Sequence, residues 1–174
     1  MQYISSQRGF SLIEVLVAVL IVAIGLVGVA GMQFVGLKGN QQSFSKNQAA
    51  HHTQALLERM RGNPEGVAGG HYVFNSASAD CSVAPTTTCA VAAANCSSED
   101  LATYDLFSAY CGQVGNSFGA MRGSLSNASL VVSCAGACDD GLNLTLGWDE
   151  QKLGDEEAAE SSVSRELVIN TVIK

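Results

Sequence analysis

The 174 residues hold few of the groups that most enzymes and nucleic-acid binders need. Basic residues number 9 against 16 acids, for a formal charge of −7, and nowhere do they form a run. A phosphate backbone would therefore find no electrostatic footprint, and nucleic acid is excluded as a partner. The 3 histidines are scattered; His51 and His52 are adjacent in sequence and so point to different faces of a helix, whereas a metal pair prefers i, i+4. No nucleophile elbow or phosphate-cradling loop accompanies the serines and aspartates. No C-x2-C pair exists, and Cys134-Ala-Gly-Ala-Cys138 is a C-x3-C, a weak zinc signal. A structural and interaction protein is expected: not an enzyme, and with no cofactor.

Proline and charge are both missing from a long stretch near the N-terminus. From Phe10 to Val35 the only charged residue is Glu14. About 20 apolar helical residues cross a bilayer, so the segment is long enough to span one. Gly25, Gly28 and Gly31 weaken a helix in water but are common in membranes, where small residues let helices approach closely. Glu14 is the anomaly. A carboxylate in the middle of a spanning helix costs about 2.5–3.5 kcal/mol on insertion scales, less near an end. A cut after Gly9 would supply a compensating amine on Phe10, four residues before Glu14 and on the same helix face. That amine could belong to the same chain or to a packed neighbour, which would make Glu14 a register pin between subunits. Two other readings stay open: an uncut signal anchor, and a secretory signal peptide cut near Val29-Ala30-Gly31. The second is opposed by the length of the apolar run and its early acid.

All six cysteines (Cys81, Cys89, Cys96, Cys111, Cys134 and Cys138) follow the apolar segment. An even count in a loop-rich region beyond a membrane segment reads as a set of disulfides in an oxidising compartment, though sequence does not choose their connectivity. It also favours the C-terminal part lying outside the cell membrane.

Gln41 to Arg61 contains neither proline nor glycine, and Phe44, Gln48, His52, Ala55, Leu56 and Met60 recur at three- to four-residue spacing. The helix is expected to continue to Arg61 and stop at Gly62 and Pro64. Ser97 with Asp100 starts a second helix over 98–114, with Leu101, Tyr104, Phe107, Tyr110, Cys111 and Val114 on its buried face and Gly115-Asn116 ending it. Short strands are expected at His71–Phe74, Leu130–Cys134, Leu142–Trp148 and Arg165–Ile173, with a hairpin turn at Asp140-Gly141 and an acidic connection over 149–164. The fold class is α+β: a long N-terminal helix against a small antiparallel sheet, with a disulfide-stapled head.

The run Arg8-Gly9-Phe10-Ser11-Leu12-Ile13-Glu14 resembles the prepilin-peptidase site of type IV pilins and type II secretion pseudopilins. The resemblance implies cleavage between Gly9 and Phe10, N-methylation of Phe10, and Glu14 as the carboxylate used in assembly. Gly25 to Gln33 and Leu37 to Pro64, closing on Arg59-Met60-Arg61-Gly62-Asn63-Pro64, are similar to minor pilins of the pilus-modification (PilV) type. The implied domains are a leader (1–9), a transmembrane and filament-core helix (10–35), its amphipathic continuation (36–64) and a periplasmic head (65–174). The implied role is a minor pilin of a priming or tip complex supporting twitching motility and adhesion, first in the inner membrane and then in the pilus. The implied partners are prepilin peptidase, other minor pilins, the major pilin, a large tip adhesin and the inner-membrane assembly platform. A minor pseudopilin of type II secretion is the alternative within filaments. A membrane-tethered cysteine-rich redox or metal-binding module is the alternative of another class.

Overall fold

The computed structural model describes residues 9–90, 95–151 and 162–173. The chain divides into two compact units, Met1–Gln41 and Gln42–Lys174. In the first, helix α1 (Leu12–Arg61) begins as a run of exposed apolar side chains from Leu12 to Leu37. Lys38 closes that run, its ammonium 4.9 Å from the centre of the Phe34 ring one turn earlier.

Among its described residues the second unit contains the rest of α1, three further α-helices, a 3-10 turn at Ser76–Ser78 and four strands. These are α2 (Pro64–Ala68), β1 (Phe74–Asn75), α3 (Ser98–Tyr110), α4 (Met121–Ser124), β2 (Ser129–Cys134), β3 (Leu142–Gln151) and β4 (Ser162–Thr171). The sheet is antiparallel throughout, in the order β1-β2-β3-β4. Alternation along β3 sends Leu142, Leu144, Leu146 and Trp148 into one core with Leu130 and Val132 of β2. Ala49, Leu56, Leu57 and Met60 of α1 complete it with Ala102, Leu106 and Tyr110 of α3. The expected α+β architecture is thus the observed one, and α1 ends at Arg61 as expected.

Several details differ from the sequence reading, each for a local reason. The buried stripe of α1 is Ala49, Thr53, Leu56, Leu57 and Met60, while Phe44 and Ala55 face outward. Thr53 is tolerated inside because its hydroxyl donates to the Ala49 carbonyl at 2.8 Å, leaving no unpaired polar group. Pro64 does more than stop a helix. It occupies the first position of α2, where its missing N–H costs nothing, and Asn63 caps that helix by accepting from the Gly66 N–H at 3.1 Å. A β-carbon on Gly66 would fall 2.9 Å from the Ser98 carbonyl, so glycine is what allows α2 to close on the start of α3.

The capping box of α3 forms as expected: the Ser97 hydroxyl accepts from the Asp100 N–H, and the Asp100 carboxylate accepts from the Ser97 N–H. The helix ends at Tyr110, earlier than 114, because Gly112 turns left-handed at φ +82. Its buried face is Ala102, Asp105, Leu106 and Tyr110; Leu101, Tyr104 and Phe107 are half-buried, and Val114 is exposed. The strand expected over His71–Phe74 shrinks to Phe74–Asn75, since His71 and Val73 spend their N–H groups in turns on Gly66 and Gly70.

Two buried carboxylates hold the head together. Asp105 accepts from the Tyr72 hydroxyl at 2.7 Å and from Arg59 at 3.3 Å, joining the end of α1 to α3. Burial, reinforced by that bond to Asp105, pushes the Tyr72 phenol well above its ordinary range. Glu150 accepts from the Trp148 indole N–H at 3.1 Å and from Arg165 at 3.2 Å. Asp149 and Glu150 therefore end β3 and do not open an acidic connection. The remainder of that connection, 152–161, lies outside the described residues.

His52, half-buried on α1, has its Nε2 2.6 Å from the Ser124 hydroxyl of α4. Burial first, and His51 second, lower its pKa. A histidine depressed in the folded state binds its proton more readily when unfolded, so its contribution to stability is present above pH ~6.5 and lost as pH falls. Denaturant midpoints should therefore drop between pH 7.5 and 5, and His52→Gln should flatten part of that drop.

Candidate assembly interface

The first helical turn is set by Ser11, whose carbonyl accepts from the N–H groups of Glu14 at 3.0 Å and Val15 at 3.4 Å. Gly9 and Phe10 precede the helix and are exposed. Glu14 lies in the first turn, where the positive end of the helix favours an acid. Phe10, Leu12, Val15, Leu16, Val19, Leu20 and Ala23 line one continuous apolar groove, the 3–4 spacing of a single helix face. Among the described residues, nothing lies within 4 Å of where a β-carbon on Gly25, Gly28 or Gly31 would stand. The chain's own packing therefore does not require glycine at any of the three.

The six cysteines lie in the second unit and pair as Cys81–Cys111, Cys89–Cys96 and Cys134–Cys138, leaving no free thiol. The C-x3-C spacing is thus a disulfide that closes the turn between β2 and β3, where Gly141 takes φ +149 and accepts from the Ala135 N–H. Cys81–Cys111 ties the long loop after β1 to the end of α3.

The sequence reading passed over two features of the head. Asp105 was missed because an acid among apolar helix positions reads as solvated; only its partners, 33 and 46 residues away in sequence, make it an interior residue. Phe118 was missed because one aromatic residue among turn formers has no periodicity. Its signal was available in Gly115-Asn116-Ser117-Phe118-Gly119, a bulky apolar residue in a segment built to turn.

A helix long and apolar enough to cross a bilayer, with its acid in the first turn, leads into an α+β head stapled by three disulfides, and this is the architecture of a pilin-type fold. Residues 4–30 match the prokaryotic N-terminal methylation motif, and residues 31–107 match the family described as type IV pilin Tt1218. Both matches are to pilin-type models, so the chain is similar to type IV pilins and carries an N-terminal methylation motif, which together support a pilin-like role. No curated protein and no solved structure matches it.

Proposed function

We propose that this chain is a minor pilin of a type IV pilus that helps to prime assembly and works by packing, not by covalent chemistry. Residues 1–9 act as a leader removed by prepilin peptidase. Residues 10–35 anchor the mature chain in the inner membrane and later join the filament core. Residues 36–64 continue that helix, and 65–174 form a periplasmic head. The observation that carries this reading is Glu14, the single charge between Phe10 and Val35, one helical turn from the residue that cleavage would make N-terminal. In the apolar core of a helix bundle an unpaired carboxylate is penalised, and the methylated amine of a neighbour's Phe10 removes that penalty. Subunits out of register lose the pair, so the acid selects one stagger. The head then meets other minor pilins, the major pilin and a large tip adhesin, while the helix docks to the assembly platform.

Deleting the gene should abolish or sharply reduce surface piliation and twitching while leaving exoprotein secretion intact. The reverse outcome would assign the chain to a type II secretion pseudopilus. Glu14→Ala should leave membrane insertion unchanged, or ease it slightly, yet cut incorporation into sheared filaments by about tenfold or more, as expected when one partner of a buried charge pair is removed. Normal incorporation of the Ala variant would end the pairing idea.

A further inference from the structure

The most anomalous side chain in the head is Phe118, which is 92% exposed. An isolated surface apolar residue is ordinary. This one is held out by a constructed loop. Gly112, Gly115 and Gly119 all take left-handed conformations. Gln113 and Asn116 exchange two backbone hydrogen bonds at 2.9 and 3.0 Å. The Asn116 side chain accepts from the Phe118 N–H at 2.9 Å, and the Ser117 carbonyl accepts from the Ala120 N–H at 3.1 Å. A β-carbon on Gly123 would stand 2.0 Å from the Ser117 carbonyl oxygen, so the loop is seated tightly on α4. A ring carried on a backbone held this way loses little main-chain freedom on docking, which is a property of an interface anchor.

The charges carried by the segment that bears the ring narrow what it can dock against. None of the 16 acids falls between Leu106 and Cys138, and the one charge in that stretch is Arg122, four residues after Phe118. Arg122 is exposed and has no ion-pair partner among the described residues. Its counterpart should therefore be an apolar recess with an acid at its rim. The head itself has one. A recess of about 330 Å³ lies beside Cys111, walled by Val73, Phe74, Val83, Pro85 and Phe107, with the exposed residue Asp80 also lining it. Ser82 donates to Asp80 through both its N–H and its hydroxyl, holding that carboxyl ionised below the usual range.

We propose that Phe118 of one copy inserts into this recess of a second copy, with Arg122 set against Asp80. The contact presents an acid-free stretch of chain carrying Arg122 to a neighbour whose net charge is negative, lowering the repulsion that two such heads exert on each other. Anchoring in one membrane raises the effective concentration of the two heads, so a weak contact is sufficient there. The proposal rests on the pilin-like reading only in placing several copies side by side in one membrane.

The test uses the full chain in lipid vesicles. One population is uniformly labelled with nitrogen-15 and carries p-benzoylphenylalanine in place of Phe118; the other is unlabelled. After irradiation, cross-linked peptides joining labelled residue 118 to unlabelled residues 73–85 or 103–107 are expected. Arg122→Asp in the labelled population should lower that yield about fivefold or more, the loss typical of a disrupted interface anchor. So should Asp80→Arg in the unlabelled one, and combining the two should restore it. Intact mass and circular dichroism confirm that each variant keeps its three disulfides and its fold. Cross-links to any other segment, to lipid alone or within one copy only would overturn the proposal, as would a double variant that fails to recover. None of these outcomes touches the Glu14 test, which reads the other end of the chain.

Discussion

Replacing Gly9 with valine should leave the fold untouched and abolish maturation. Among the described residues nothing lies within 4 Å of where a β-carbon at residue 9 would stand, so a side chain there starts in open space. Gly9 also precedes the helix and donates to none of its hydrogen bonds. Any defect must then arise in the site of an enzyme acting on the segment, where the residue before the cut has to fit. The expected result is a membrane-inserted chain that keeps all nine leading residues and carries no methyl group on Phe10. The processed form should fall below about one part in ten, a loss of more than 1.4 kcal/mol in the specificity of that enzyme. Intact mass and N-terminal sequencing decide it. A variant trimmed normally and methylated at Phe10 would remove the basis for placing a cut there, and with it the pairing of Glu14 to a terminal amine.

The second large effect belongs to the disulfides, and loop length ranks them. Cys81 and Cys111 are 30 residues apart, against 7 for Cys89–Cys96 and 4 for Cys134–Cys138. On the loop-entropy account, closing the first loop removes about 3.5 kcal/mol of freedom from the unfolded chain, the second about 2.5 and the third about 2. Cys81→Ala with Cys111→Ala should therefore cost the most. Packing adds to the difference, because Cys111 is buried in the core beside Tyr110 and Cys81 packs against that core. A head of this size has a modest core and little stability in reserve, so the double variant should unfold at markedly lower denaturant and become sensitive to protease. Removing Cys134–Cys138 should move the midpoint less. If the two double variants shifted the midpoint equally, neither loop entropy nor the burial of Cys111 would be setting the stability.

What was legible in the sequence follows from how short-range each signal is. The alternation of Leu142, Leu144, Leu146 and Trp148 needs only the pleat of a strand to place four side chains inward, and all four are buried. The capping box needs only Ser97 and Asp100. The apolar run from Phe10 to Val35 needs only the thickness of a bilayer. Each is set by neighbours within a few residues, so no knowledge of the rest of the fold is required. The helix faces were less legible. A stripe over 44–60 can be drawn through more than one set of positions, and the sheet, not the helix, decides which set is covered. Asp105 and Thr53 lie inside because distant or local partners satisfy their polar atoms, and hydropathy is blind to partners.

By itself the sequence determined the apolar anchor with its single acid, the prepilin-type N-terminus, the strand pattern, and the presence of six cysteines in the head. Those are properties of composition and local spacing. The tertiary structure decided which cysteines pair, that Asp105 and Glu150 are interior ion-pair acids, where α3 stops, and that Phe118 is held out in water. Each of these depends on groups far apart along the chain being brought within a few ångströms, and that proximity exists only once the head has folded.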